Sequence, residues 1–253
     1  MDQDLQSWEM VAMPTIGLVV PNATDVVPPE GPLMYPDVVF IPHRTGVGSL
    51  TPEGYDQAAD KIIPAADNLA KRGVDAIMVI GTSLTFYRGP QFNEDLQTEI
   101  RKRTGLPVST MSTAIIDGLR EVGASKLAVA TAYTKIVNDK LEELLRFHGF
   151  DVEALNSFGI TQFNGGAGAK SDDEIIDLSA KSLEQAPSAD AILISCGGLK
   201  TLGVAKPLED RFDLPVVSST PAAFWAAMRL VRQSGRIAGY GRMLERAAVV
   251  GAE

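Results

Sequence analysis

The chain has 253 residues, with 23 Lys plus Arg against 32 Asp plus Glu, a formal charge of −9. A chain this long can bury a full core without disulfides or metals, and its acidic balance argues against a nucleic-acid footprint or docking on anionic lipid. One cysteine and two histidines exclude an intramolecular disulfide and leave little for a metal cage or a histidine relay.

Residues 1–13 carry Asp2, Asp4 and Glu9 with no basic or apolar leader pattern, so they read as an N-terminal extension rather than a signal peptide. Uncharged stretches such as 214–228 fall short of the about 20 apolar residues a membrane span needs. A cytoplasmic, reducing setting is expected. Apolar runs rich in Val, Ile and Leu follow at 15–20, 38–41, 76–80, 107–109, 126–130, 152–155, 191–195 and 215–218. They show little alternation, the pattern of parallel strands buried on both faces. Between the second and third, Thr51-Pro52-Glu53 opens a helix with a cap, a proline at the first position and an acid in the first turn. Pro64 should kink or break that helix. Ser171 followed by Asp172, Asp173 and Glu174 opens another, its acids facing the positive end of the helix dipole. Gly123, Gly149 and Gly235 stand where helices should stop. Strands alternating with helices give an α/β class with mainly parallel sheets.

The chain repeats itself weakly. Residues 76–83 resemble 191–198, 105–110 resemble 213–220, and 16–20 resemble 127–131. The pattern predicts two pseudo-symmetric Rossmann-like halves, each a mainly parallel sheet flanked by helices. Residues 14–116 with 221–253 form the first and 117–220 the second. Ligands of open α/β sheets sit beyond the carboxyl ends of strands, so the turns at Gly81 and Cys196 should face a common cleft.

Within that cleft Cys196 is the sharpest candidate. It follows an apolar strand and precedes Gly197-Gly198, whose lack of side chains lets a ligand approach the backbone. A helix start just beyond it would offer free N–H groups to an anion. A lone cysteine is also often a small buried hydrophobe. Gly81-Thr82-Ser83 offers two hydroxyls and backbone N–H groups to a carboxylate or oxyanion, or serves as a helix cap. Tyr133 is either a packing residue or a donor into the cleft. The loop Thr45-Gly46-Val47-Gly48-Ser49-Leu50 lacks the dinucleotide fingerprint. Residues 165–171 resemble a phosphate loop, but Ala169 interrupts the required spacing and they read as a flexible loop. His43-Arg44 reads as a polar loop pair able to meet a carboxylate or solvent. His148 reads as a helix C-terminal residue, and Glu142-Glu143 as a solvated face.

Several blocks, taken in order, are similar to the arylmalonate decarboxylases of the aspartate/glutamate racemase superfamily. They are Pro14-Thr15-Ile16-Gly17, residues 49–55, Gly81-Thr82-Ser83-Leu84-Thr85-Phe86-Tyr87-Arg88-Gly89, residues 110–114, Ala130-Thr131-Ala132-Tyr133, Ser195-Cys196-Gly197-Gly198-Leu199 and residues 215–219. The resemblance runs from about 14 to 240. It implies a two-domain fold with the active site between the halves, and cofactor-free decarboxylation of α-aryl or α-alkenyl malonates to enantioenriched monoacids. Superfamily racemases use two facing cysteines. Here Gly81 holds the first position and Cys196 the second, which weighs against a racemase or a two-cysteine maleate isomerase. By the resemblance, Thr82, Ser83, Tyr133 and the Gly197 N–H stabilise an enediolate, and Cys196 protonates one face of it. Gly81, Pro21, Val47, Leu50, Tyr55 and Phe163 contact substrate. Residues 162–167 and His43-Arg44 depart from the family pattern, which bears on substrate choice. No metal or other cofactor is expected, and the partner is a small malonate-type molecule bound by a monomer or weak homo-oligomer. The alternatives from the residues alone are a cofactor-free racemase or cis–trans isomerase, and a non-catalytic carboxylate-binding relative.

Overall fold

The computed structural model describes residues 13–47, 52–161 and 166–246. The strands are β1 (Thr15–Val20), β2 (Val39–Arg44), β3 (Ala76–Val79), β4 (Val108–Thr110), β5 (Lys126–Thr131), β6 (Asp151–Ser157), β7 (Ala191–Ser195) and β8 (Val216–Ser218). The helices are α1 (Glu30–Met34), α2 (Pro52–Ala59), α3 (Ile62–Lys71), α4 (Thr82–Phe86), α5 (Pro90–Thr104), α6 (Met111–Glu121), α7 (Lys135–Phe147), α8 (Asp172–Glu184), α9 (Ala205–Phe212), α10 (Ser219–Leu230) and α11 (Arg242–Arg246).

All eight apolar runs read from the sequence form strands. They build two four-stranded sheets of identical order, β2-β1-β3-β4 and β6-β5-β7-β8. Every pairing is parallel. The repeat is visible down to single side chains. Asp75, just before β3, accepts the Thr15 N–H at 2.7 Å. Asp190, just before β7, accepts the Ser125 and Lys126 N–H groups at 2.9 and 3.0 Å. Each carboxylate thus satisfies the free backbone donors at the start of its sheet's central strand.

Burial differs between the two edges of each sheet, since β4 and β8 are buried. β3 and β7 are buried along their whole length, whereas the edge strands β2 and β6 are half-exposed throughout. The edge position explains how β2 tolerates Pro42, which has no N–H to give a neighbour. α6 and α10 pack on each other and α10 touches strands of both sheets. One apolar cluster therefore runs from Ile16 and Leu18 through Phe224 and Trp225 to Leu127 and Val129.

Three local expectations change. The break between α2 and α3 falls at Asp60-Lys61, before Pro64. Pro64 sits in the first turn of α3, where its missing N–H would have had no partner inside the helix. α10 ends at Leu230, with Arg232 at φ 60. Gly235 comes later, and its carbonyl accepts the Tyr35 hydroxyl at 2.7 Å. His43 and Arg44 lie on β2 rather than in a loop. Ser171 and Glu174 form the full reciprocal cap at the start of α8, as the sequence predicts.

Candidate active site

β3 and β7 occupy equivalent places in the two sheets, and the chain turns after each of them beside the same cavity of about 270 Å³. That is the small end of the range for ligand pockets. Pro21 and Asn22 beyond β1, Ala132 and Tyr133 beyond β5, and Tyr55 from α2 complete much of the wall. Pro21, Val47, Tyr55, Gly81, Thr82, Ser83, Tyr133, Cys196 and Gly197 all line it. Leu50 and Phe163 lie outside the described residues. His43 and Arg44 do not line it. Arg44 is exposed, with its N–H on Asp25 at 2.7 Å. The sequence reading gives no role to Asn22, Pro28, Ile80, Leu84, Ala132, Ile160 and Gly168, whereas Ala167 and Gly198 belong to the 162–167 segment and the Gly197-Gly198 turn that it singles out. Ile80 and Ala132 could have been found as neighbours of Gly81 and Tyr133. The segment around 22–28 and Ile160 carried no signal.

No helix starts directly after Cys196; α9 begins at Ala205. The thiol instead sits on a turn, closed by the Leu199 N–H on the Cys196 carbonyl at 3.1 Å. The Gly198 N–H meets Sγ at 3.4 Å. A side chain at 198 would press on the Ala167 methyl at 3.0 Å, which accounts for glycine there. Burial pushes the Cys196 thiol above its ordinary pKa, against the smaller pull of the Gly198 and Leu199 backbone. A thiol held protonated is a proton donor rather than a nucleophile.

Across the cavity, Gly81 adopts φ 111 immediately before the short helix α4, a conformation open to glycine and costly for other residues. Thr82 is buried, and its hydroxyl donates to Ser219 Oγ at 3.0 Å. Ser83 is half-buried. The buried Tyr133 hydroxyl lies 3.4 Å from Ser195 Oγ, and its ring meets Phe86 edge to face. Desolvation raises the Tyr133 phenol well above its usual value, and the proximity of Cys196 adds to it. Both groups are therefore neutral O–H and S–H donors. Tyr55 stacks on Tyr87 at 4.7 Å, and its buried hydroxyl faces the Ser83 side chain. Burial pushes its pKa up to about 12. Among the described residues, no charged side chain lines the cavity, and no group of three or more His, Cys, Asp or Glu is placed to hold a metal ion. No helix among them is long and apolar enough to cross a membrane.

The family model described as arylmalonate decarboxylase matches residues 16–244. The chain is 43% identical over 239 residues to the arylmalonate decarboxylase of Bordetella bronchiseptica, covering 94% of this chain and 99% of that one. This chain belongs to the arylmalonate decarboxylase family. A solved arylmalonate decarboxylase carrying a glycine-to-cysteine and a cysteine-to-serine substitution, in its liganded form, superposes with a TM-score of 0.90. It is 41% identical, over 92% of this chain and 99% of that chain. A maleate isomerase from Pseudomonas putida S16 superposes with a TM-score of 0.85 at 22% identity, over 93% of this chain and 100% of that one. That likeness shows the shared fold alone. In this chain the cavity joins one thiol to hydroxyl donors, and none of its described lining side chains is charged.

Proposed function

We propose that this protein is a carboxy-lyase that decarboxylates α-aryl or α-alkenyl malonates without a cofactor, giving one enantiomer of the monoacid. The observation that carries this reading is the single thiol of Cys196, which shares a small cavity with Thr82, Ser83 and Tyr133 while glycine stands at 81. One carboxylate of the malonate is received by the Thr82, Ser83 and Tyr133 hydroxyls and the Gly197 N–H. The other faces the apolar wall of Pro21 and Val47 beside Tyr55. Burial there disfavours the charged carboxylate and favours neutral CO₂. The bond from the α-carbon to that carboxylate breaks, CO₂ leaves, and the electron pair passes into the remaining carboxylate as an enediolate. Fixed donors stabilise this charge without reorganising. The Cys196 thiol then gives its proton to the α-carbon from its own side, and water restores the proton to the thiolate. The apolar and aromatic remainder of the wall suits the aryl or alkenyl group, which also delocalises the developing charge.

Phenylmalonate, incubated with chelator-treated protein and no added cofactor, is the direct test. Release of CO₂ with formation of phenylacetate is expected. Inert phenylmalonate alongside conversion of maleate to fumarate would overturn the reading in favour of an isomerase.

A further inference from the structure

Behind the cavity, the two helices that pack on each other present their first residues to the two turns in matching ways. Ser112, in the first turn of α6, donates from Oγ to the Thr82 carbonyl at 3.0 Å. Thr220, in the first turn of α10, donates from Oγ1 to the Gly197 carbonyl at 3.4 Å. In the repeat, Ser112 corresponds to Thr220 and Thr82 to Gly197, so each helix braces the turn of its own sheet. The residue before each brace crosses to the opposite turn. Ser219 meets the Thr82 hydroxyl at 3.0 Å. Its counterpart Met111 lies so close to Gly197 that an added Cβ would be 3.1 Å from Sδ. On one side the crossing contact is van der Waals packing; on the other it is a hydrogen bond between two hydroxyls.

Thr82 is the partner the structure gives to the Ser219 hydroxyl, and both residues are 1% exposed. A hydroxyl has one proton and two acceptor lone pairs. In the structure Thr82 gives its proton to Ser219. To donate to an anion in the cavity, Thr82 must turn that proton inward. Ser219, on the side of Thr82 away from the cavity, is then a group that can donate to the vacated lone pair, beside the Tyr133 phenol that also meets the Thr82 side chain. The resulting chain, from the Ser219 hydroxyl to the Thr82 hydroxyl to the anion, is one in which each bond polarises the next.

We propose that Ser219 is a positioning residue that reverses its hydrogen bond with Thr82 when an oxyanion occupies the cavity, so that the Thr82 hydroxyl becomes a donor to it. This rests on the decarboxylase reading for its kinetic consequence, but not for its binding consequence. Ser219 does not touch the substrate. It acts through Thr82, and its effect vanishes when the Thr82 hydroxyl is absent.

The test is a double-mutant cycle on the full chain, read by kcat and KM with phenylmalonate and by calorimetric affinity for phenylacetate. Ser219→Ala is expected to lower kcat about tenfold, with a smaller change in KM, and to weaken phenylacetate binding. Thr82→Ala is expected to lower kcat about 10²–10³-fold, the usual effect of removing an oxyanion donor. Adding Ser219→Ala to Thr82→Ala is expected to change neither readout further. Ser219→Thr and Ser219→Val share a shape and differ in the hydroxyl, so a gap between them isolates that group even where Ser219→Ala perturbs folding. Equal losses from Ser219→Ala in both backgrounds, or equal activity of the Thr and Val variants, would overturn the proposal. Coupled losses in phenylacetate affinity without turnover of phenylmalonate would uphold the role of Ser219 and reject the decarboxylase reading. Neither binding nor turnover by the wild type would reject both.

Discussion

Moving the thiol from one wall of the cavity to the other should reverse the handedness of the product. The variant Gly81→Cys with Cys196→Gly does this, because the two positions follow equivalent strands of the two sheets. Its cost can be worked from the backbone. Residue 81 has φ 111, and a Cβ there would lie 3.3 Å from the Leu84 Cβ and 3.4 Å from the Pro21 Cγ. A side chain held in such a region costs about 1–3 kcal/mol, which lowers Tm by roughly 2–12 °C in a domain of this size. The neighbours need shift by only a few tenths of an ångström, so the variant should fold. Activity should fall about 10²-fold, the penalty for a catalytic group displaced by about 1 Å. The assay is chiral chromatography of the 2-phenylpropanoate formed from methyl(phenyl)malonate. Inverted handedness is expected. The single change Gly81→Cys should give less enantioenriched product and slowly racemise the monoacid. Unchanged handedness from an active double variant would refute both the repeat argument and the single-donor mechanism.

Burial raises the Cys196 thiol, so the donor stays protonated to higher pH than an ordinary thiol. kcat should fall only at more alkaline pH, and iodoacetamide should label Cys196 slowly at pH 7. Rapid labelling at neutral pH would contradict this. The Tyr55 hydroxyl faces Ser83 at the cavity wall, so Tyr55→Phe should raise KM for malonates with little change in Tm. A lower Tm with unchanged KM would assign the hydroxyl to the fold instead. A Cβ at residue 31 would collide with the ring of Phe224, so Gly31→Ala should destabilise by about 1–3 kcal/mol through overpacking. Thermal unfolding checks this, and an unchanged Tm would show that the ring has room to move.

The strands were legible because burial on both faces demands unbroken apolar runs, as in Ala76–Val79 and Ala191–Ser195. The central cleft was legible because Gly81 and Cys196 follow matching strands. The helices α1 and α4 were not, since five residues are too few to show a helical period. The stop of α10 falls before Gly235 because Arg232, two residues past Leu230, already takes a positive φ. The walls formed by Asn22, Pro28 and Ile160 come from connections whose positions depend on packing between distant segments. The hydroxyl chain from Ser219 to Thr82 spans 137 positions, and neither residue announces the other. Cys196 was found by its place at a strand end, whereas the turn that sets its N–H contact replaced the helix start that the sequence suggested.

The central claim is that Cys196 alone protonates a cofactor-free decarboxylation intermediate. It is tested most directly by the wild type and Cys196→Ser acting on methyl(phenyl)malonate, with CO₂ release and product handedness measured together. The account predicts that the wild type releases CO₂ and gives predominantly one enantiomer, and that a well-folded Ser variant loses about 10²–10⁴-fold of the rate. A folded Ser variant that matches the wild-type rate and handedness would contradict it.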